Sequence, residues 1–509
     1  MKNKIFLDGE ILKLSDVEKV SLGGAKVSIS PQAISKIQNG RKFIENIIDG
    51  KHIVYGVNTG FGHLSNKKIK NNELAQLQKN LIRSHCTGIG NICSKEVVRA
   101  MMLLRANTLA KGNSGVRLEV IEKIIELLNK DTYPIIYEQG SVGASGDLAP
   151  LAQLALCLIG EGEFLENGAP VPAKKYLSKK KIKPLVLYAK EGISLINGTQ
   201  QMTAVGALCI EKAKRLLKIA DIAGAMSLEA VKGSHKAFDE DIMRVRPHPG
   251  ALECAANFKK LLKKSHVHKS HKKCEKIQDA YSLRCIPQVH GAVRDVLSFS
   301  EKILSIELNS AVDNPLIFPD KNKVLSCGNF HGQPIAYALD SLSIALTGIS
   351  NISERRIEKI MNPAYSELPP FLSKHPGLES GLMMVQVSAA ALASENKVHA
   401  APASVDTIPT SMDKEDHVSM GPIAAFKLEK IVNNIEKILS MEILCSYLAL
   451  HWLTPLKAGV GVDCVFQFLK DKIPDIYDRP FNKDFLLIQN LIQDNSLLKK
   501  IEKKVGALF

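Results

Sequence analysis

A long apolar pattern near the C-terminal end places the strongest constraint on the fold of this chain. The pattern starts after Pro422 and runs to about Trp452, and Pro455 follows just beyond its end. Its apolar residues recur at three- and four-residue spacing and form one stripe: Leu428, Ile431, Ile435 and Ile438. A helix over residues 423–452 would be roughly 45 Å long, since each residue rises about 1.5 Å. Helices of this length usually pack in bundles, within one chain or between chains.

Three further stretches share this helical character and are rich in small and aliphatic residues: 204–231, 334–361 and 381–400. The first 60 residues instead alternate short β-like runs with glycine turns, and a helical pattern begins at about residue 73. We therefore expect a mainly α, oligomeric protein. Residues 1–200 are expected to form a smaller mixed N-terminal part, and residues 201–509 a long-helix bundle followed by C-terminal helices. The two parts are expected to make one continuous unit.

The composition is that of an ordinary folded protein, because 45% of the 509 residues are hydrophobic and 23% are charged. The N-terminal stretch reaches Asp8 before an apolar signal core can form, and the apolar run Leu148–Gly160 is too short to span a bilayer. The ten cysteines contain no Cys-x-x-Cys pair, which argues against a zinc ribbon or a thioredoxin-type site and fits a reducing compartment. We expect a cytoplasmic protein that binds no membrane.

The net charge of +15 raises the question of nucleic-acid binding. The lysines concentrate in short stretches, chiefly Lys179–Lys181 and Lys259–Lys276, and aromatic residues are not interleaved with them. A solvated, lysine-rich surface is the favoured interpretation, so no nucleic-acid partner is expected. Steep salt-dependent binding to DNA would indicate the alternative.

The most unusual local sequence is the glycine-rich run Gly140–Asp147. A phosphate-binding loop would end in Gly-Lys-Ser or Gly-Lys-Thr, and a nucleophile elbow would place Gly two residues after Ser145. Asp147 stands where each of these motifs needs a different residue. A plain turn before a helix remains, with Asp147 as a suitable N-terminal cap and Pro150 tolerated in the first turn.

The run Gly140–Pro150 resembles the signature of the aromatic amino acid ammonia-lyases, the family that contains histidine, phenylalanine and tyrosine ammonia-lyases and related aminomutases. In that family an Ala-Ser-Gly segment cyclises and loses water to give 4-methylideneimidazol-5-one (MIO). The resemblance implies that Gly146 supplies the backbone nitrogen that attacks the Ala144 carbonyl, and that Ser145 loses its hydroxyl. The helix that follows would direct its positive end at this group. MIO is thus the expected cofactor, and no metal is expected to be required.

The similarity extends from about residue 50 to residue 440 and implies roles for four further segments. Tyr55, in Tyr55–Gly62, resembles the residue of the base-bearing loop. Asn197 lies in a segment that contacts substrate and MIO in the family. Arg284 would bind the substrate carboxylate bidentately, with Tyr281 beside it in a proton-transfer role. Phe330 resembles the aromatic wall of the site. Without the resemblance, Tyr55 would be interpreted as a packing residue and Asn197 as part of a turn. Arg284 would be interpreted as a surface charge and Phe330 as a core residue.

Two segments indicate histidine as the substrate. Ser84-His85 is similar to the selectivity pair of the histidine-specific members, although some bacterial tyrosine-active members carry it too. Glu415 stands where phenylalanine enzymes usually have Gln, and a carboxylate suits an imidazole N–H better than a bare phenyl ring. Gln278 matches a further pocket residue. Lys414 and Ala280 depart from the pattern, where Gln and Pro are usual.

The resemblance therefore implies elimination of ammonia from L-histidine to give trans-urocanate. Tyrosine or phenylalanine ammonia-lyase activity, or an aminomutase that re-adds the amine, is the alternative. The family fold is a long-helix bundle assembled into a homotetramer with shared active sites. Two other classes remain open: a metal site at His266–Cys274, whose spacing fits no closed motif, and a catalytically inactive binding module.

Overall fold

A computed structural model describes residues 4–50, 54–60, 69–271, 277–474 and 477–509. The protein is mainly α, with 61% of its residues in helices, as predicted. In chain order the helices are α1 Leu14–Ser21, α2 Pro31–Asp49, α3 Leu74–His85, α4 Lys95–Ala110, α5 Leu118–Asn129, α6 Leu148–Leu158, α7 Ala173–Lys179, α8 Glu191–Ile196, α9 Gln200–Ala230, α10 Glu240–Val245, α11 Pro249–Leu261, α12 His266–Ser270, α13 Tyr281–Arg284, α14 Ile286–Glu307, α15 Gln333–Met361, α16 Pro363–Ser366, α17 Met383–His399, α18 Gly421–His451, α19 Val460–Lys470, α20 Asn482–Gln493 and α21 Ser496–Val505.

Short strands form small two-stranded sheets in the described part of the chain. They are β1 Ile5–Leu7, β2 Val27–Ile29, β3 Ile89–Ile92, β4 Tyr137–Gln139, β5 Glu163–Glu166, β6 Ala169–Pro172, β7 Leu316–Phe318 and β8 Lys323–Leu325. β1 and β2 pair in parallel, whereas β3 with β4, β5 with β6 and β7 with β8 are antiparallel. These sheets are too small to carry a core, which is therefore built by helices.

The chain forms two compact units. Unit 1 comprises residues 1–211, 300–340 and 402–426, and unit 2 comprises residues 212–299, 341–401 and 427–509. The expected division at residue 200 and the single continuous unit remain predictions.

The long C-terminal helix is confirmed. α18 begins at Gly421 with Pro422 in its first turn, where proline is tolerated, and ends at His451, before Pro455. The predicted apolar stripe is fully buried, which explains why the pattern is so regular: Leu428, Ile431, Ile435 and Ile438. α9, α15 and α17 likewise coincide with the predicted helices to within four residues at each end.

The expectation of short β-like runs over the first 60 residues is wrong for most of that segment. α2 covers 19 residues and buries an apolar face that includes Ile37 and Ile44. Ser30 caps this helix by accepting the N–H of Ala33 at 3.2 Å, and Pro31 occupies its first position. The Ser-Pro pair is a helix-start signal that outweighs the glycine at position 40. The β-like run at 52–55 has His52 and Ile53 outside the described residues, and Val54 and Tyr55 lie in a non-strand segment.

One helix in the described part of the chain, α15, is long and apolar enough to cross a membrane by length and composition. The shorter apolar run Leu148–Gly160, expected not to span a bilayer, contains α6. In α15, 67% of the apolar window is buried inside the protein. The core helix of a soluble protein passes the same test, so this finding is weak evidence for a membrane span.

Candidate active site

The Gly140–Asp147 run forms a tight turn whose backbone is held from both sides. Ser141 Oγ accepts the N–H of Gly143 at 3.0 Å and donates to the Gly146 carbonyl at 3.2 Å. Gly146 has φ +75° and forms a bridge with Gly198. A Cβ atom at position 146 would lie 2.2 Å from the Gly198 carbonyl oxygen, so a residue other than glycine cannot occupy this position without displacing the turn.

Ser145 is the residue at which three segments distant in sequence meet. Its Oγ donates to Glu415 Oε1 at 2.8 Å, and its carbonyl oxygen accepts a hydrogen bond of 3.4 Å from Asn197 Nδ2. Asn197 is buried, and its Oδ1 has no hydrogen-bond partner among the described residues. Ala144 and Ser145 are half-buried. Unit 1 thus brings together Ser145, Asn197 and Glu415, three of the residues that the sequence predicted.

The Glu415 carboxylate is oriented by hydroxyl groups. Its Oε2 accepts from Thr410 Oγ1 at 2.7 Å and from Ser411 Oγ at 2.8 Å, which leaves Oε1 directed at Ser145. Backbone hydrogen bonds between Thr410 and Glu415 close a turn over residues 411–414. The neighbouring Lys414 is exposed. The carboxylate is therefore held by its own turn and is not drawn out by the adjacent lysine.

Two further contacts fasten the Glu415 segment to the glycine-rich turn. Ser419 Oγ donates to the Gly143 carbonyl at 3.2 Å, and the N–H of Met420 donates to the Val142 carbonyl at 2.9 Å. The turn at 140–147 is therefore positioned by the segment that leads into α18.

Asp147 does not cap α6 with its side chain, which corrects the sequence prediction. It occupies the position before α6, but its Oδ2 accepts the N–H groups of Gln201 at 2.8 Å and Met202 at 3.0 Å, in the first turn of α9. Two helix N-termini, those of α6 and α9, therefore lie next to the turn and make its surroundings electropositive. Burial raises the pKa of Asp147 to about 7, although those two hydrogen bonds and the charge of Arg105 act in the opposite direction.

His85 is the last residue of α3, and its hydrogen bonds fix its tautomer. Nδ1 lies 2.9 Å from the Leu81 carbonyl oxygen and 3.0 Å from Ser84 Oγ. A carbonyl oxygen only accepts, so Nδ1 carries the proton. In the neutral ring Nε2 is then an acceptor.

Tyr55 is half-buried in a turn that is fixed by its neighbours. Asn58 Oδ1 accepts the N–H of Val54 at 2.8 Å, and Thr59 Oγ1 accepts that of Gly56 at 3.2 Å. A Cβ atom at position 56 would lie 3.8 Å from the side chain of Ile193, in α8, so this turn is close to the helix that precedes Asn197. The last residues of the predicted motif, Phe61 and Gly62, lie outside the described residues.

Phe330 is half-buried in the segment between β8 and α15. The next residue, His331, accepts the N–H of Gln333 at Nδ1 (3.3 Å) and therefore donates from Nε2 to the His417 carbonyl at 3.0 Å. Its ring stacks on that of His417 at 5.8 Å between centroids. The segment that carries Phe330 is thus fastened to the segment that carries Glu415.

The three remaining predicted residues belong to unit 2. Gln278 is exposed, and the Tyr281 side chain is 70% exposed. Arg284 Nε donates to the Asp279 carbonyl at 3.0 Å, and the guanidinium group lies 4.5 Å from the centroid of the Tyr281 ring. Because Nε is held and the ring supports the plane, the terminal nitrogens of Arg284 keep a defined orientation.

Among residues 266–271, the described part of the possible metal site at 266–274, the structure shows no group that could hold a metal. His266 and His268 lie in α12, and His268 stacks on His235, whereas residues 272–274 lie outside the described residues. Within the described part of the chain, a group that could hold a metal lies elsewhere, in unit 2: Asp221, Cys254 and His290. The Asp221 carboxylate already accepts from His290 and from Arg294 Nη2, both at 2.8 Å, and the arginine charge opposes a metal cation.

Sequence reasoning missed several residues of the site. Arg105, Ser141, Ser419 and His331 contact its backbone, and Asp147 was considered only as a cap. Arg105 alone had a signal in the sequence, since its charge directly follows the apolar run Met101–Leu104 and precedes Ala106, a setting typical of a buried and hydrogen-bonded arginine.

The mainly helical chain presents an Ala-Ser-Gly turn next to the N-termini of α6 and α9. The profile of the aromatic amino acid lyase family matches residues 12–471. The chain belongs to this family and is a lyase.

Three relatives show how far the likeness extends. A histidine ammonia-lyase of Myxococcus xanthus is 46% identical over 499 residues, which cover 98% of each chain. The crystal structure of histidine ammonia-lyase from Trypanosoma cruzi has a TM-score of 0.92 at 41% identity, over 99% of this chain and 96% of the other. That of tyrosine aminomutase from Streptomyces globisporus has a TM-score of 0.94 at 36% identity, over 100% of both.

Proposed function

We propose that this protein is a histidine ammonia-lyase, which eliminates ammonia from L-histidine without oxidation and releases trans-urocanate. The observation that carries the proposal is the carboxylate of Glu415 against Ser145, 2.8 Å from its Oγ. A carboxylate here can accept the imidazole N–H of histidine, whereas a phenyl ring would leave it without a partner. The name of the M. xanthus relative supports the same substrate.

We further propose that Ala144, Ser145 and Gly146 form MIO autocatalytically, since the family depends on this group. The residues fit it: position 146 excludes a side chain, and Asn197 Nδ2 already donates to the Ser145 carbonyl oxygen. The adjacent N-termini of α6 and α9 favour negative charge at the turn. The group supplies an electrophile, which ordinary side chains lack.

The imidazole is proposed to be held by His85, Gln278 and Glu415. Glu415 Oε1 and His85 Nε2 offer acceptors, and the amide of Gln278 offers a donor, so both ring nitrogens of a neutral imidazole find a partner. Arg284 and Asn197 are proposed to hold the substrate carboxylate. The planar guanidinium of Arg284 suits bidentate contact with a carboxylate.

Tyr55 is the proposed base that removes the β-proton of histidine. The electrons of that C–H bond form the Cα–Cβ double bond, while the Cα–N bond breaks and ammonia leaves with its electron pair. A tyrosine has an ordinary pKa of about 10, so this role requires surroundings that stabilise the phenolate. Tyr281 is proposed as a further proton-transfer residue, and Phe330 as the wall that excludes water.

The active assembly is proposed to be a cytoplasmic homotetramer whose active sites take residues from more than one subunit, with no metal, membrane or nucleic-acid partner. Large aliphatic side chains that are exposed in the single chain, such as Leu378 at 87% and Val405 at 80%, support burial against other subunits.

An aminomutase or lyase acting on tyrosine or phenylalanine is the second candidate, supported by the TM-score of 0.94 to a tyrosine aminomutase and by the departures at Lys414 and Ala280. Purified protein is incubated separately with L-histidine, L-tyrosine and L-phenylalanine, and products are identified by absorbance and mass. We expect urocanate and ammonia from histidine. Turnover of tyrosine without turnover of histidine would overturn the proposal, and a β-amino acid product would identify an aminomutase.

A further inference from the structure

Arg105 is a fully buried arginine in α4 that contacts the segment between α8 and α9. Its Nη1 donates to the carbonyl oxygens of Ser194 and Asn197, both at 3.0 Å, and its Nη2 donates to Gln200 Oε1. The last carbonyl groups of a helix lack partners within the helix. The guanidinium group therefore supplies donors at the end of α8 that the backbone does not provide.

The guanidinium group also lies directly against Gly198. A Cβ atom at that position would be 2.5 Å from Arg105 Nη2, and Gly198 has φ +144°, a conformation that favours glycine. The path of the backbone from Asn197 to Gln200 is thus shaped around the arginine.

The same short segment carries the contacts that hold the turn at 145–147. Asn197 Nδ2 donates to the Ser145 carbonyl oxygen at 3.4 Å, and the N–H of Asp147 donates to the Gly198 carbonyl oxygen at 2.7 Å. Each of these contacts depends on where residues 197 and 198 lie. Arg105 touches both of them and touches neither Ser145 nor Asp147 through a hydrogen bond in the described structure.

A buried charge costs desolvation free energy unless hydrogen bonds or opposite charges compensate for it. Burial lowers the pKa of Arg105 to about 10, although the charges of Asp313 and Asp147 raise it, so the group remains protonated at neutral pH. Asp313 is itself bound by Lys190 Nζ at 2.8 Å and by Ser194 Oγ at 2.7 Å. An apolar residue of similar size would avoid the cost of desolvation but could not donate to the two carbonyl oxygens.

We infer that Arg105 is a positioning residue of the candidate active site, which fixes the Asn197–Gly198 turn and through it the backbone from which the prosthetic group forms. The inference rests on the proposed function. It assigns Arg105 no contact with substrate, and its effect is on maturation of the Ala-Ser-Gly segment.

The chain offers a matched control on the same helix. Arg99 is 2% exposed, and it donates to the carbonyl oxygens of Val20 at 2.9 Å and Leu128 at 3.2 Å, which belong to no proposed site residue. Arg99 Nη1 also pairs with Asp131 Oδ1 at 2.5 Å, a contact that Arg105 lacks. Arg99→Lys and Arg105→Lys therefore both replace a buried arginine that donates to two backbone carbonyl oxygens, and R99K additionally weakens an ion pair. Only the second faces the turn at 197–198.

The test compares the intact mass of wild type, R99K and R105K, together with their thermal unfolding and their kcat and KM for L-histidine. Wild type and R99K are expected to lack the mass of two water molecules. In R105K the fraction of soluble chains with this deficit should fall at least about fivefold below that of R99K, because lysine keeps the charge but lacks the planar fork that donates to Ser194, Asn197 and Gln200 together. Its kcat should fall in proportion while KM stays the same.

A smaller fall, or equal losses in R99K and R105K, would overturn the inference. If R105K is insoluble, Gln200→Met takes its place. It removes the acceptor of Arg105 Nη2, together with a hydrogen bond of 3.2 Å from Gln200 Nε2 to Thr108 Oγ1, and should give a partial fall in the mature fraction. A value equal to that of R99K would be equally contradictory. A wild type that shows neither the mass deficit nor turnover of histidine would instead contradict the proposed function. The failure of the inference and the failure of the proposed function are therefore distinguishable.

Discussion

Replacing Glu415 with Gln removes a negative charge whose Oε1 lies 2.8 Å from Ser145 Oγ and leaves the shape of the side chain almost unchanged. Thr410 and Ser411 donate to Oε2, so the amide oxygen of Gln will be held on that side. The amide NH2 must then occupy the position of Oε1. There it presents a donor to the imidazole N–H where the carboxylate offered an acceptor.

The magnitude follows from the loss of one charged hydrogen bond. Such a bond contributes about 1.5–3 kcal/mol, and its replacement by two opposed donors recovers none of this. We therefore expect kcat/KM for L-histidine to fall by roughly 10- to 150-fold, since each 1.4 kcal/mol is a factor of about ten. Activity towards L-phenylalanine should not fall, because a phenyl ring has no N–H to lose.

The assay records urocanate and cinnamate formation by absorbance for wild type, E415Q and a control, Asp416→Asn. Asp416 is the adjacent acid and is exposed, so its loss should leave kcat/KM unchanged. The intact mass of each variant is measured to check that the Ala144-Ser145-Gly146 segment has lost water to the same extent in all of them. If E415Q keeps its kcat/KM for histidine to within about threefold of D416N, Glu415 does not bind the imidazole and the argument for histidine fails.

Three further outcomes are expected. The variant Asp147→Asn should become more stable than wild type as pH rises from about 4 to about 7, by at most about 4 kcal/mol in the free energy of unfolding. The pKa of Asp147 is raised in the folded protein, so wild type loses stability over this range as the carboxyl group ionises, whereas the amide does not titrate. A difference in melting temperature between the two proteins that stays the same at every pH would contradict this. His85→Phe should lower kcat/KM for histidine on the order of tenfold through loss of the Nε2 acceptor, and an unchanged value would show that His85 does not contact substrate. Dialysis against a chelator should leave kcat unchanged, and a loss that zinc restores would indicate a metal that the proposal lacks.

The helices were predictable where one face packs in the core and the opposite face is exposed to solvent. In α18 the stripe from Leu428 to Ile438 is buried, so the 3.6-residue period is visible in the sequence. α2 was missed because the first 60 residues were interpreted as short β-like runs between glycine turns, while its start signal, Ser30 before Pro31, was not weighed.

The site was predictable as a set of residues but not as a geometry. Resemblance located Ser145, Asn197 and Glu415, whereas their hydrogen bonds join positions as far apart as 145 and 415. Asp147 shows what local sequence cannot predict. Its position before α6 suggests a cap for that helix, but the fold places the N-terminus of α9 beside it, and its carboxylate accepts the N–H groups of Gln201 and Met202. No pattern near residue 147 encodes that contact.

The most direct test of the central claim is the intact mass of the purified chain beside that of Ser145→Ala. Wild type is expected to weigh less than its translated sequence by the mass of two water molecules, and the variant should not show the loss of the serine hydroxyl. A wild-type mass equal to that of the translated sequence would contradict formation of the electrophile from Ala144, Ser145 and Gly146, and with it the mechanism proposed for this chain.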